Sequence, residues 1–129
     1  MIISRTPFRI SFVGGGSDFQ DYYAGRYGKV VSTTINKFIY VMMNRRFDDR
    51  IRVGYSQNEM VDTVDELQHD IVREALKLTG INQGVEVVYI SDVPLRNTGL
   101  GGSSSLAVGV LNALHAFRGE SVTAEDLAR

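Results

Sequence analysis

From residue 8 to residue 13 the chain reads Phe, Arg, Ile, Ser, Phe, Val, with an apolar side chain at every second position, and this alternation predicts a strand. Gly14, Gly15 and Gly16 follow and cannot continue it. Residues 29–35 and 38–45 are rich in β-branched and aromatic side chains and predict two further strands. Asp48 and Asp49 then turn the chain into a strand at 51–55. Between residues 62 and 79 the period changes. Val64, Leu67, Ile71, Ala75 and Leu78 recur by threes and fours, which predicts one apolar stripe of a helix. Asp65, Glu66 and Asp70 fill its opposite face near the start, where the helix dipole favours acids, and Gly80 is placed to stop it. Residues 84–91 return to alternation, with Val85, Val87 and Tyr89 on one face. Residues 103–117 predict a helix striped by Leu106, Val110, Leu114 and Phe117; Ala107, Val108, Leu111 and Ala113 make it apolar nearly all round, the pattern of a buried helix. Thr123 and Asp126, three apart, resemble a capping box with Asp in place of Glu or Gln. That last helix has barely begun at Arg129, so the expectation is of an incomplete chain. These elements together predict an α+β fold: a mixed, mostly antiparallel sheet with helices on one face.

Composition narrows the picture. A chain of 129 residues, 43% apolar and 22% charged, is one globular domain with enough length to bury a core. It has no cysteine, so disulfides, thiolate metal sites and thiol nucleophiles are excluded, and with only His69 and His115 a His-rich zinc site is excluded too. The longest apolar run, residues 38–43, is far below the ~20 residues of a membrane span. The N-terminus lacks a signal-peptide pattern, and the reading is of a soluble, cytoplasmic chain. A net charge of −1 argues against a nucleic-acid partner. The charge is uneven: residues 1–52 carry a net +5 and residues 53–129 a net −6. Arg45, Arg46, Arg50 and Arg52 account for much of the basic half and read as the solvated side of a hairpin.

Two glycine-dense loops carry the candidate chemistry. Gly99-Leu100-Gly101-Gly102-Ser103-Ser104-Ser105 lies between a predicted strand and the buried helix. Glycines let a ligand approach the backbone amides, a helix start offers free N–H groups and a positive dipole end, and the serines add hydroxyls that can also ligate Mg²⁺. The same residues also fit a plain loop whose serine caps the helix. Other phosphate and nucleophile loops fail on named residues. A Walker A loop needs Gly-Lys-Ser/Thr, and no lysine follows Lys77. A dinucleotide loop needs a third glycine where Ser104 stands. A hydrolase elbow needs glycine at Ser105. The first loop, Gly14-Gly15-Gly16-Ser17-Asp18, puts a carboxylate on a turn, suited to accepting hydrogen bonds from vicinal hydroxyls, and Arg9 on the strand before it carries a guanidinium suited to a phosphate. It fits equally a glycine turn in which Asp18 caps the next segment.

The two loops together resemble the GHMP kinases. Their phosphate motif, Pro-x-x-x-Gly-Leu-Gly-Ser-Ser-Ala, is similar to the run from Pro94 to Ser105, with one residue more before Gly-Leu-Gly, Gly102 where the family often has Ser and Ser105 where it has Ala. The run from Pro7 to Phe19 fits, without gaps, the sugar-kinase pattern Pro-Gly-Arg-x-Asn-x-x-Gly-x-x-Thr-Asp-Tyr, with Ser11 at the Asn position. Its form looks most like the bacterial heptose-phosphate kinase and fucokinase-like branch. The resemblance spans essentially the whole chain. It implies the left-handed βαβ fold shared with some ribosomal and elongation-factor domains, and residues 1–129 as an ATP-binding N-terminal domain without its C-terminal partner. It implies transfer of the γ-phosphoryl group of ATP to a hydroxyl of a sugar or sugar phosphate, most like a heptose 7-phosphate. By the same resemblance Gly99, Leu100, Gly101, Gly102, Ser103, Ser104 and Ser105 hold the nucleotide phosphates. Ser103 ligates Mg²⁺, Gly15, Gly16, Ser17 and Asp18 hold the acceptor, and Arg9 lies beside the transferring group. The family's catalytic aspartate falls beyond residue 129, so the expectation is a fragment with little or no activity of its own. The runners-up are a non-catalytic nucleotide- or sugar-binding module and an RNA-binding domain of the same fold, the latter opposed by the net charge. Of the remaining residues, His115 is expected as a packing residue, His69 as solvated, and Tyr22 and Tyr23 as sugar-stacking or core residues.

Overall fold

The computed structural model describes residues 1–95 and 97–127, the side chain of Asp18 excepted. In chain order these form β1 (Ile2–Val13), α1 (Gln20–Tyr23), β2 (Val31–Arg45), β3 (Ile51–Gly54), β4 (Asn58–Val61), α2 (Asp70–Thr79), β5 (Val85–Ser91), α3 (Gly102–Phe117) and α4 (Ala124–Leu127). Short 3₁₀ turns stand at Gly15–Asp18 and Val64–Glu66. The strands make one sheet in the order β1-β2-β5-β3-β4, antiparallel at every step except β3 beside β5. The expected α+β architecture is therefore the observed one. Alternation sends Ile39, Val41, Met43, Val85 and Val87 inward, where they form a single core with Val72 and Leu76 of α2 and Leu106, Val110 and Leu114 of α3. No helix among the described residues is long and apolar enough to cross a membrane.

Several elements differ from the sequence reading. The strands expected at 29–35 and 38–45 are one strand, β2. Its pairing with β1 jumps from Pro7 opposite Phe38 to Arg9 opposite Thr34, so three residues of β2 face Phe8 alone. This bulge bends the ribbon, lets Phe8 reach the core with no exposure, and re-aims the strand beyond it. β1 starts at Ile2, not at residue 8, and β4 was not expected. The helix expected from residue 62 begins only at Asp70. Val64 and Leu67 are buried as predicted, but the backbone around Leu67 is claimed from outside. The Gln68 N–H donates to Glu59 of β4 at 2.6 Å, and Arg73 donates to the Leu67 carbonyl at 2.8 Å. These bonds compete with helical pairing. His69, expected as solvated, is instead the N-cap of α2: its Nδ1 accepts from Val72 N–H and its Nε2 meets the Tyr89 hydroxyl at 2.9 Å. The buried face of α2 runs through Val72, Ala75, Leu76 and Thr79, which leaves Leu78 75% exposed, off the core stripe. Gly80 does end α2 in a left-handed conformation, φ +70°. In α3 the buried positions, Gly102, Ser105, Leu106, Gly109, Val110, Ala113 and Leu114, share one side, so the helix is not buried all round. The Thr123–Asp126 box forms as expected, each residue accepting from the other's N–H.

The surface carboxylates carry a pH dependence. Hydrogen bonds from Arg46, from Lys77 and from the Thr123 hydroxyl hold Asp48, Asp65 and Asp126, respectively, below the usual carboxylate range. Each therefore keeps its charge at a lower pH folded than unfolded, and the stability this contributes is present above the unfolded value and lost as pH falls through the folded one. The expected result is a thermal midpoint that declines from about pH 5 toward pH 2, measured by circular dichroism; Asp65→Asn should flatten part of the decline.

Candidate active site

β1 is an edge strand, and its free edge is where the site is built. Pro7 has no N–H to leave unpaired there. Its carbonyl accepts the Ser105 hydroxyl at 3.1 Å, and two residues on the Arg9 N–H donates to the Leu100 carbonyl at 3.2 Å. The glycine-serine loop thus takes the place of a sixth strand. The Arg9 guanidinium follows its own backbone onto the loop, donating to the Gly99 carbonyl at 3.4 Å. A Cβ on Gly101 would stand 3.2 Å from Arg9 Cζ, so glycine leaves the room in which the arginine lies. Two motifs ninety residues apart in the chain meet at this contact.

The loop itself turns through left-handed residues, Gly99 at φ +68° and Gly101 at φ +75°, and Gly101 is the N-cap of α3. No serine caps that helix. Its first internal bond runs from the Ser105 N–H to the Gly101 carbonyl at 2.9 Å, so the amides of Gly102, Ser103 and Ser104 have no acceptor one turn earlier in the helix. Those three amides, with the exposed hydroxyls of Ser103 and Ser104, stand at the positive end of a sixteen-residue helix. Among the described residues nothing lies within 4 Å of where a Gly99 Cβ would be, so they leave the groove above the turn open. Ser105 has both its hydroxyl and its amide engaged within the fold, which ties the loop to β1. The backbone of Leu100 is likewise committed, its N–H to Thr98 Oγ1 and its carbonyl to Arg9.

The first loop is held as a compact turn. Gly14 is left-handed at φ +90°, and a Cβ there would run into the Lys29 carbonyl. The Ser17 N–H donates to the Gly14 carbonyl at 2.8 Å; its hydroxyl lies 2.7 Å from that carbonyl and accepts from the Lys29 N–H at 3.1 Å. Ser17 thus uses its hydroxyl to shape the turn. Gly15 and Gly16 are exposed. The expected acceptor ligand Asp18 has its backbone in the turn, and its side chain lies outside the described residues. Phe19, not Asp18, is the N-cap of α1. Tyr22 and Tyr23 are exposed rather than in the core.

Beside Ser103 opens a cleft of about 970 Å³, a size suited to a nucleotide. Tyr55, His69 and Tyr89 form one wall, with the Tyr55 and Tyr89 rings stacked at 5.9 Å, and Pro94 and Leu95 line it beside the phosphate loop. Sequence reading missed this wall; the only local signal was a lone histidine and two separate tyrosines. The hairpin arginines are not part of it. Arg46 pairs with Asp48, Arg50 with Asp62 and Arg52 with Glu86, and Arg45 lies over Phe117, beside the start of β5 rather than its end at the loop. His115 is held by Glu120 at 2.6 Å, a satisfied structural residue as expected.

The sequence pattern described as "GHMP kinases N terminal domain" matches residues 55–129. Over 127 aligned residues, covering 87% of this chain and 36% of the relative, the chain is 30% identical to D-glycero-alpha-D-manno-heptose 7-phosphate kinase of Campylobacter jejuni. A crystal structure of a D-glycero-D-manno-heptose 1-phosphate kinase from Bacteroides thetaiotaomicron superposes with a TM-score of 0.87 at 20% identity, covering 100% of this chain and 46% of that one. Galactokinase of Lactococcus lactis, complexed with galactose, superposes with a TM-score of 0.73 at 22% identity, over 97% of this chain and 35% of that one. The chain thus spans about a third to a half of the length of these proteins.

Proposed function

Because the chain belongs to the GHMP kinase family, we propose that it is the nucleotide-binding N-terminal portion of an ATP-dependent sugar kinase whose acceptor is a heptose phosphate. The observation that supports this reading is the contact of Arg9 with the Gly99 carbonyl, which joins the strand leading into the first glycine turn to the second glycine loop. The acceptor class is supported by the 30% identity to a heptose 7-phosphate kinase.

The residues present fit Mg-ATP. The amides of Gly102, Ser103 and Ser104 would hold phosphate oxygens, the open turn at Gly99 and Gly101 would let them approach the backbone, and the cleft walled by Tyr55, His69 and Tyr89 would take the base. Ser103 and Ser104 offer hydroxyls. Among the described residues no group of three or more acidic or histidine side chains could hold a metal, so Mg²⁺ would be held by the Ser103 hydroxyl and the nucleotide itself. Mg-ATP supplies the phosphoryl group. Arg9, with a fixed positive charge beside the loop, neutralises charge on the group in transit, and the helix dipole of α3 favours the same anion. Catalysis of this kind rests on positioning and charge more than on covalent chemistry.

The two carboxylates that line the cleft are otherwise engaged: Asp92 accepts from the Phe38 N–H at 2.8 Å and Asp70 from Arg73 at 2.7 Å. As the family resemblance implies, a base to take the acceptor's proton is proposed to come from outside residues 1–129. The expected outcome is that this chain binds Mg-ATP, measured by calorimetry, and transfers no phosphoryl group to heptose 7-phosphate in a coupled assay. Failure to bind Mg-ATP at millimolar concentration overturns the nucleotide reading; turnover overturns the placement of the base.

A further inference from the structure

One buried polar atom has no partner among the described residues: the hydroxyl oxygen of Ser11. Orphaned groups of this kind are rare and costly, so each one asks for an explanation. Ser11 stands two residues beyond Arg9 on β1 and, by strand alternation, on the same face, about 7 Å along. Immediately after Ser11 the register with β2 slips again, Ser11 facing Ser32 and Val13 facing Val31, which leaves Phe12 without a partner. The chain then folds back through Gly14, and a Cβ on Gly15 would meet only the Ser11 oxygen, at 3.7 Å. The hydroxyl thus lies directly beneath an exposed glycine turn whose far end is fastened by Ser17 to Gly14 and Lys29. The contrast between the two serines is informative. Ser17 uses its hydroxyl to shape the turn as it stands, whereas Ser11 sits under the same turn within reach of it and uses nothing.

We propose that Ser11 is a positioning residue for the phosphoryl acceptor. Its hydroxyl bonds to the backbone of Gly15 and Gly16 when the turn settles onto a bound acceptor, so the hydrogen bond missing in the free chain is formed in the complex. A hydroxyl both donates and accepts, so it can serve either a carbonyl or an N–H that the turn presents. The proposal rests on the kinase reading above and adds to it the group that couples acceptor binding to the glycine turn.

The test compares Ser11→Ala and Ser11→Thr with the parent chain, using D-glycero-D-manno-heptose 7-phosphate and Mg-ATP as separate probes. Amide resonances of Gly14, Gly15 and Gly16 report acceptor binding by NMR, and thermal unfolding reports stability. Ser11→Ala is expected to leave the thermal midpoint unchanged or slightly raised, because no bond of the free chain is lost. It is expected to weaken heptose phosphate binding about tenfold, the worth of one hydrogen bond, with Mg-ATP affinity unchanged. Ser11→Thr should restore acceptor binding. A midpoint lowered by several degrees in Ser11→Ala, or unchanged acceptor affinity, overturns the proposal. If the parent chain binds Mg-ATP but not the heptose phosphate, the acceptor class fails, and this inference with it. If the parent binds both and Ser11→Ala is silent, the role of Ser11 alone fails.

Discussion

Gly102→Ala is expected to lower Mg-ATP affinity by at least tenfold and to destabilise the chain by about 1–3 kcal/mol, the usual range for overpacking a tight interior. A Cβ on Gly102 would stand 2.5 Å from the Leu95 carbonyl oxygen and 3.0 Å from Leu95 Cα. Both are backbone atoms, so no rotamer change relieves the clash. Either Leu95 withdraws, opening the cleft wall it helps to form, or the first turn of α3 shifts away from Gly99 and Gly101. Both movements spoil the alignment of the Gly102, Ser103 and Ser104 amides. Gly25→Ala is the control, since its added Cβ meets nothing within 4 Å. Calorimetric titration of both variants with Mg-ATP, alongside urea unfolding, checks the result. Full affinity in Gly102→Ala would mean that the loop does not hold the phosphates.

The same contact joins two departures from the family pattern that look unrelated in the sequence. The run after Pro94 is one residue longer than the pattern, and Gly102 replaces a residue that is often serine. In the folded chain the Leu95 backbone occupies the space that a serine Cβ would need. A longer loop and a smaller helix start are one accommodation, not two.

What local pattern could read was the alternation of residues 8–13 and of β5 and the places of both glycine loops, because alternation and glycine density are properties of neighbouring residues. What it could not read was competition from a distance. Glu59 and Arg73 claim the backbone around Leu67, and a helix that the spacing of Val64, Leu67 and Ile71 favours is thereby cut back to Asp70. Residues 36 and 37 read as a break between two strands because Asn36 and Lys37 interrupt the apolar run, but a bulge opposite Phe8 absorbs them within one strand. The site shows the same division. Gly99, Gly101 and Arg9 were legible as candidates, yet the roles of Ser17 and Ser105 were not, since each spends its hydroxyl on a carbonyl that is identified only by the fold.

Phe8 and Phe12 give the sharpest test of how the site is anchored. They lie four residues apart on β1; Phe8 has no exposure and Phe12 is 64% exposed. Phe8→Ala is expected to cost about 3–5 kcal/mol, a large part of the 5–15 kcal/mol typical of a whole domain. Phe12→Ala should stay within about 0.5 kcal/mol. The reason the difference matters for function is position. Phe8 sits between Pro7 and Arg9, the two residues whose backbone holds Ser105 and Leu100 of the phosphate loop. The core contact of Phe8 therefore fixes the register in which the edge of β1 meets the loop. Saturating Mg-ATP should recover part of the lost stability in Phe8→Ala, because a ligand that binds only the folded chain draws the equilibrium back toward it. Urea unfolding with and without Mg-ATP measures both effects. Equal costs at the two positions would place the outer half of β1 in the core and remove the bulge at Phe8 as the feature that aims Arg9 at the loop.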